Sequence, residues 1–129
     1  MFKSSGKLVY DPVFENQRET KPFWLMLQCD DELARFYRYL LFKERCVKLN
    51  EKCIWGAHIS IIRGERPLTG WWGKNNGKEI EFETDGIVRD DGRYYWMNVD
   101  CLELSRIRVS YGLPYKPFFD FHLTIGNKI

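Results

Sequence analysis

The chain has 129 residues, enough for one domain that buries about two-thirds of its unfolded surface. Apolar residues make up 44% and charged ones 29%, an ordinary soluble composition, with a high aromatic share of 16%. Lys and Arg number 20 and Asp and Glu 18, a net charge of +2, which excludes a polyanion binder driven by bulk charge and leaves only a local cluster for that role.

The opening MFKSSGKLVY lacks an apolar run of signal-peptide length, and no stretch approaches the ~18 apolar residues of a membrane span. Of the four cysteines, Cys29, Cys46, Cys53 and Cys101, no two form a C-x-x-C pair, so neither a zinc site nor a redox dithiol is indicated. A cytoplasmic protein with reduced thiols is expected.

Residues 21–29, KPFWLMLQC, predict a buried strand from their continuous run of large apolar side chains. Residues 30–49 predict an amphipathic helix, since Leu33, Phe36, Tyr37, Leu40, Leu41 and Val47 recur at three- and four-residue steps. Asp30 is its N-cap; Asp31 and Glu32 suit the positive end of its dipole, Arg45 and Lys48 the other end. AHISIIR, 57–63, predicts a strand, followed by the long loop GERPLTGWWGKNNGKE. EIEFETDG, 79–86, alternates as a half-exposed strand does, and IVRDDGRYYWMNVD predicts a hairpin turning at Asp91–Gly92. CLELSRIRVSYGLP, 101–114, predicts a second helix with Cys101, Leu104, Ile107 and Tyr111 on one face, Asp100 as N-cap, Gly112 at its end and Pro114 as a stop. PYKP then bends the chain into a last strand, FFDFHLTIG, 118–126.

Strand, helix and histidine-bearing strand thus occur twice, over 21–63 and over 93–126, with a faint echo between WLMLQCDDEL and YWMNVDCLEL. The expected class is α+β: two pseudo-symmetric lobes of antiparallel sheet with helices packed outside and an active cleft between them. A single domain, 1–129, would divide into a first lobe of about 1–75 and a second of about 76–129.

Both histidines of the chain sit in one short pattern, HISI at 58–61 and HLTI at 122–125. Side chains on a strand alternate between faces, so His58 and Ser60 share one face, as do His122 and Thr124, with apolar residues behind them. Nine residues are Ser or Thr, so the chance that both histidines carry one at the second position is roughly 1 in 200. One such copy is ordinary strand alternation; two copies on matching strands favour a paired site. Two imidazoles suit a phosphodiester, one taking a proton from an attacking hydroxyl or water and the other giving one to the leaving oxygen. The Ser60 and Thr124 hydroxyls would donate to non-bridging phosphoryl oxygens, where negative charge develops. This chemistry needs no metal, and the sequence offers no obvious ligand cluster for one.

Paired H-x-[ST]-apolar motifs across two strand–helix–strand lobes resemble the two-histidine phosphoesterase superfamily. That group holds LigT-like RNA 2′,3′-cyclic phosphodiesterases, 2′-5′ oligoadenylate phosphodiesterases, and viral enzymes that degrade cyclic-nucleotide immune signals. The resemblance implies His58 and His122 as the acid–base pair, Ser60 and Thr124 as phosphate-holding hydroxyls, no cofactor, and an RNA or small cyclic nucleotide as substrate. The chain is short for this family, and only four residues follow the second motif. Its compact size is similar to that of viral members, which would act in the host cytoplasm.

Around the motifs, the loop after the first holds Arg63, Arg66, Trp71, Trp72 and Lys74, and the approach to the second holds Tyr115, Lys116, Phe118 and Phe119. Rings stack on bases and cations meet phosphates, so Arg63, Trp71, Trp72, Tyr115 and Lys116 are candidate substrate-binding residues. Each also has a plainer role: the tryptophans as a cap over the core, Lys116 as a solvated loop residue. Arg63 falls on the face opposite His58 in a regular strand, unless a bend at Gly64 turns it inward. RDDGR, 89–93, reads as a solvated turn, and no pattern supports a cysteine–histidine pair using Cys53 or Cys101.

The expected function is therefore a metal-independent phosphodiesterase for RNA 2′,3′-cyclic ends, 2′-5′ linkages or cyclic oligonucleotide signals. The alternative is a non-catalytic RNA- or nucleotide-binding module of the same fold. A plain interaction protein with coincidental motifs would hold the two histidine strands apart.

Overall fold

Six strands and two helices follow in the order β1 (Phe2–Tyr10), β2 (Trp24–Cys29), α1 (Asp31–Arg45), β3 (His58–Arg63), β4 (Glu79–Asp90), β5 (Tyr94–Asp100), α2 (Leu102–Ser110) and β6 (His122–Asn127). The computed structural model describes residues 2–12, 23–49, 57–117 and 120–128. All pairing is antiparallel, in one sheet of order β3-β2-β1-β4-β5-β6. The two outer strands, β3 and β6, lie against each other, so the sheet curls nearly into a barrel. The class is α+β, as expected. Residues 1–75 and 76–129 share this one sheet through the β1–β4 pair.

One face of the sheet is apolar because its strands alternate. Leu8, Leu27, Ile59, Ile80, Met97 and Leu123 point to it and are all but fully buried, together with Ala34, Tyr37 and Leu41 of α1 and Leu104 and Ile107 of α2. Burial of each large aliphatic side chain stabilises by roughly 1.5–3 kcal/mol. The helices cross over: α1, which follows β2, packs on β6, and α2, which follows β5, packs on β3. Among the described residues no helix is long and apolar enough to cross a membrane.

β1 runs down the middle of the sheet although its Lys- and Ser-rich sequence carries little strand signal. Gly6 fits it there, since a Cβ would stand 2.6 Å from the Gln28 carbonyl oxygen and 2.9 Å from Leu27 Cγ. Only a residue without a side chain lets β1 and β2 approach so closely.

Element ends differ from the sequence expectation for local reasons. α1 stops at Arg45, not residue 49, because Cys46 adopts a left-handed conformation (φ 54°) and its N–H caps the Leu41 and Phe42 carbonyls. Asp30 is its N-cap as expected, accepting from the Glu32 N–H at 3.0 Å. α2 spans 102–110 rather than 101–114: Asp100 is the last residue of β5, Cys101 takes the N-cap position, and Gly112 (φ 75°) turns the chain away. β4 continues to Asp90 instead of ending at 86, because a register shift between Thr84 and Val88 absorbs Asp85–Ile87 and pairing resumes. β6 begins at His122; Phe118 and Phe119 lie outside the described residues.

Candidate functional site

β3 and β6 repeat each other in burial as well as sequence. His58 and Ser60 are half-buried while Ile59 and Ile61 are buried, and His122 and Thr124 are half-buried while Leu123 and Ile125 are buried. Each imidazole therefore shares a face with its hydroxyl, turned from the helix-covered core. Cross-strand partners share a face, so the register sets Gln28 beside His58 and Asn98 beside His122. Sequence reasoning missed both amides; the signal was there only once the strands were paired.

Each histidine strand also carries one extra residue. The register passes from Ile62 to Ser60 in β3 while β2 advances by a single residue, and from Gly126 to Thr124 in β6 while β5 does the same. A bulge of this kind reverses the alternation beyond it. Arg63 consequently returns to the His58 face, opposite Trp24, and its guanidinium lies 4.6 Å from the Trp24 ring centroid. A regular strand would have put Arg63 on the opposite face; it is turned inward not by a bend at Gly64 but by the extra residue Ile61, before the strand ends.

Ring and hydrogen-bond contacts orient the groups. The His122 Nδ1 lies 3.0 Å from the Asp120 carbonyl oxygen. A carbonyl only accepts, so Nδ1 carries the proton in that bond, and in the neutral ring the lone pair is on Nε2. Trp24 Nε1 donates to Ser60 Oγ at 3.2 Å, which leaves the Ser60 O–H able to donate elsewhere. Trp24 stands edge-on to His58 (6.1 Å between centroids), and Trp96 likewise to His122 (6.3 Å). A cavity of about 510 Å³ opens beside the second histidine, lined by Arg89, Asp91, Tyr94, Trp96, Asn98, Asp120, His122 and Thr124.

The other sequence candidates are distributed unevenly. Tyr115 and Lys116 are exposed and line an adjoining cavity that shares Asn98 and Asp120 with the one at His122. Trp72 packs at 4.9 Å on Tyr10, 5.2 Å on Tyr111 and 5.4 Å on Phe23, and its Nε1 donates to Asp11 Oδ2 at 2.8 Å. It caps the core on the helix side and is not brought to the histidines. Trp71 is 73% exposed, held by its carbonyl, which accepts from Tyr111 Oη at 3.1 Å. The residues that do join His122, Trp96 and Arg89, were absent from the candidates. Arg89 belongs to the stretch expected to be a solvated turn, yet the β4 irregularity pairs it with Trp96, where Asp85 holds its guanidinium at 2.9 Å.

Among the described residues no three His, Cys, Asp or Glu side chains cluster as a metal site requires. Burial pushes the Cys29 thiol up to about 12 and the Cys101 thiol upward as well, so neither is a ready thiolate. Cys53 lies outside the described residues. No protein-family model matches the chain, and comparison with curated proteins and with solved structures returns no match.

Proposed function

We propose that the chain is a metal-independent phosphodiesterase of the two-histidine type, acting on RNA 2′,3′-cyclic ends, 2′-5′ linkages or cyclic oligonucleotides. The observation that carries the reading is the matched pair of bulged strands, each showing imidazole and hydroxyl on one face, that lie against each other although they end the sheet order. In this reading the two strand–helix–strand units form two lobes, and the substrate cleft follows the seam between β3 and β6.

The chemistry is in-line displacement at phosphorus. One imidazole takes the proton of an attacking water or ribose 2′-OH as its oxygen bonds to phosphorus. The other, as imidazolium, gives its proton to the departing oxygen as that P–O bond breaks. Ser60 and Thr124 donate to the non-bridging oxygens. Nε2 of His122 is the atom that exchanges the proton, since Nδ1 is held by Asp120. Arg63 meets a flanking phosphate on the His58 side, and Trp96 with Asn98 receives a base on the His122 side. Tyr115 and Lys116 extend that wall.

The test is a metal-free assay with EDTA on a 2′,3′-cyclic nucleotide, a 2′-5′ oligoadenylate and a set of cyclic di- and trinucleotides. Cleavage of at least one, lost in both His58→Ala and His122→Ala, is the expected result. Nucleotide binding without product in the wild type would instead identify a non-catalytic binding module.

A further inference from the structure

The extra residues of the two bulges, Ile61 and Ile125, occupy the same place in their strands, one past the motif hydroxyl. An extra residue in a bulge loses its regular ladder partner. Each carbonyl is met by an arginine from the helix of the other unit. Arg108 of α2 donates from Nη1 to the Ile61 oxygen at 2.8 Å, and Arg38 of α1 donates from Nη1 to the Ile125 oxygen at 2.9 Å. Both guanidinium groups are anchored by a carboxylate. Glu65 grips Arg108 at 2.7 and 2.8 Å, and Asp31 accepts from Arg38 Nη2 at 2.7 Å. The Arg108 Nε also donates to the Pro114 oxygen at 2.8 Å. The two side chains are 1% and 11% exposed.

Burying a guanidinium is unfavourable unless it is paired and hydrogen-bonded, and an apolar side chain would fill the same helix face at less cost. The chain makes this investment twice, at corresponding positions, and both times the target is the bulge of a histidine strand. We infer that Arg38 and Arg108 are positioning residues: each locks the histidine strand of the opposite unit, so that the placement of one imidazole against the other depends on a crosswise pair of clamps. The bulge also sets which way Arg63 points. The consequence for turnover rests on the phosphodiesterase reading; the clamp itself does not.

The chain has two histidines, so an imidazole ¹H–¹⁵N spectrum resolves one signal set from each strand. Arg38→Met keeps the length of the side chain and removes its donors. It is expected to shift or broaden the His122 signals and leave those of His58 within the linewidth. Arg108→Met is expected to do the reverse. Should that variant fail to fold by circular dichroism, Glu65→Gln loosens Arg108 without removing it and carries the same expectation for His58. Arg38→Lys, which retains one charged donor, should restore most of the His122 signal. In the assay that detects cleavage, Arg38→Met should lower kcat roughly tenfold or more with KM nearly unchanged, the mark of lost positioning. Perturbation of the histidine on the same unit as the mutated arginine, of both equally, or of neither would overturn the clamp. A wild type without turnover would overturn the phosphodiesterase reading, while the imidazole pattern still decides the clamp.

Discussion

The surroundings of His58 and His122 differ more than their strands do. Both strands share a burial pattern and a bulge, and each histidine meets a tryptophan edge. The tryptophans stand on different rungs, however: Trp24 pairs with Arg63, and Trp96 with Thr124. Trp24 is 2% exposed and roofed by the Arg63 guanidinium, whereas Trp96 is half-buried and lines an open cavity. Imidazole, hydroxyl and bulge are duplicated and the walls are not. In the proposed phosphodiesterase a near-symmetric pair of imidazoles would suit a reaction in which acid and base exchange roles, and unequal walls would give an extended substrate one direction: a base toward Trp96, a phosphate toward Arg63.

At the two histidines no asymmetry of effect is expected. His58→Ala and His122→Ala should each lower kcat by about 10²–10⁴-fold, without changing the melting temperature. A variant retaining wild-type turnover would remove that histidine from the chemistry. The tryptophans should then separate sharply. Trp24→Ala, truncating a buried ring, should cost about 3–5 kcal/mol of stability in denaturant titration. Trp96→Ala should leave stability almost unchanged and weaken substrate binding by about 1–3 kcal/mol, roughly five- to 150-fold in KM, if a base stacks on it. Equal effects of the two substitutions on stability would contradict the roofed-versus-open distinction.

A smaller effect is set by pH. Hydrogen bonds from Arg108 hold the Glu65 carboxyl below the usual glutamate range. Its folded state therefore takes up a proton less readily than the unfolded chain, and its contribution to stability is complete above the ordinary glutamate range and is lost as pH falls through the lowered value. Melting curves of wild type and Glu65→Gln should diverge near neutrality and converge in acid. Because Glu65 is partly exposed, the divergence should be modest. Parallel curves across the range would mean that the carboxylate does not stabilise the fold.

The histidine pattern, its face and both strand–helix–strand units were legible because strand alternation is a local property: HISI and HLTI reveal which side chains point together. β1 was not, since Gly6 and its lysines and serines are placed by neighbours distant in the chain. Bulges escape a sequence reading for the same reason, and with them went the orientation of Arg63 and the contacts of Arg38 and Arg108, neither of which the sequence singles out. Asn98, Trp96 and Arg89 became visible as neighbours of His122 only through the register of β4, β5 and β6. Trp71 and Trp72 stood out as a loop pair next to the first motif, but the Trp72 ring is claimed by Tyr10, Phe23 and Tyr111.

The most direct measurement is the pH dependence of kcat/KM for the wild type beside His58→Ala and His122→Ala, on whichever substrate of the panel is cleaved and with EDTA present. A proton-exchanging pair predicts a bell for the wild type, with one limb missing from the residual activity of each variant and a different limb in each. A bell that survives in either variant, or the same limb lost from both, would contradict acid–base catalysis by these two histidines.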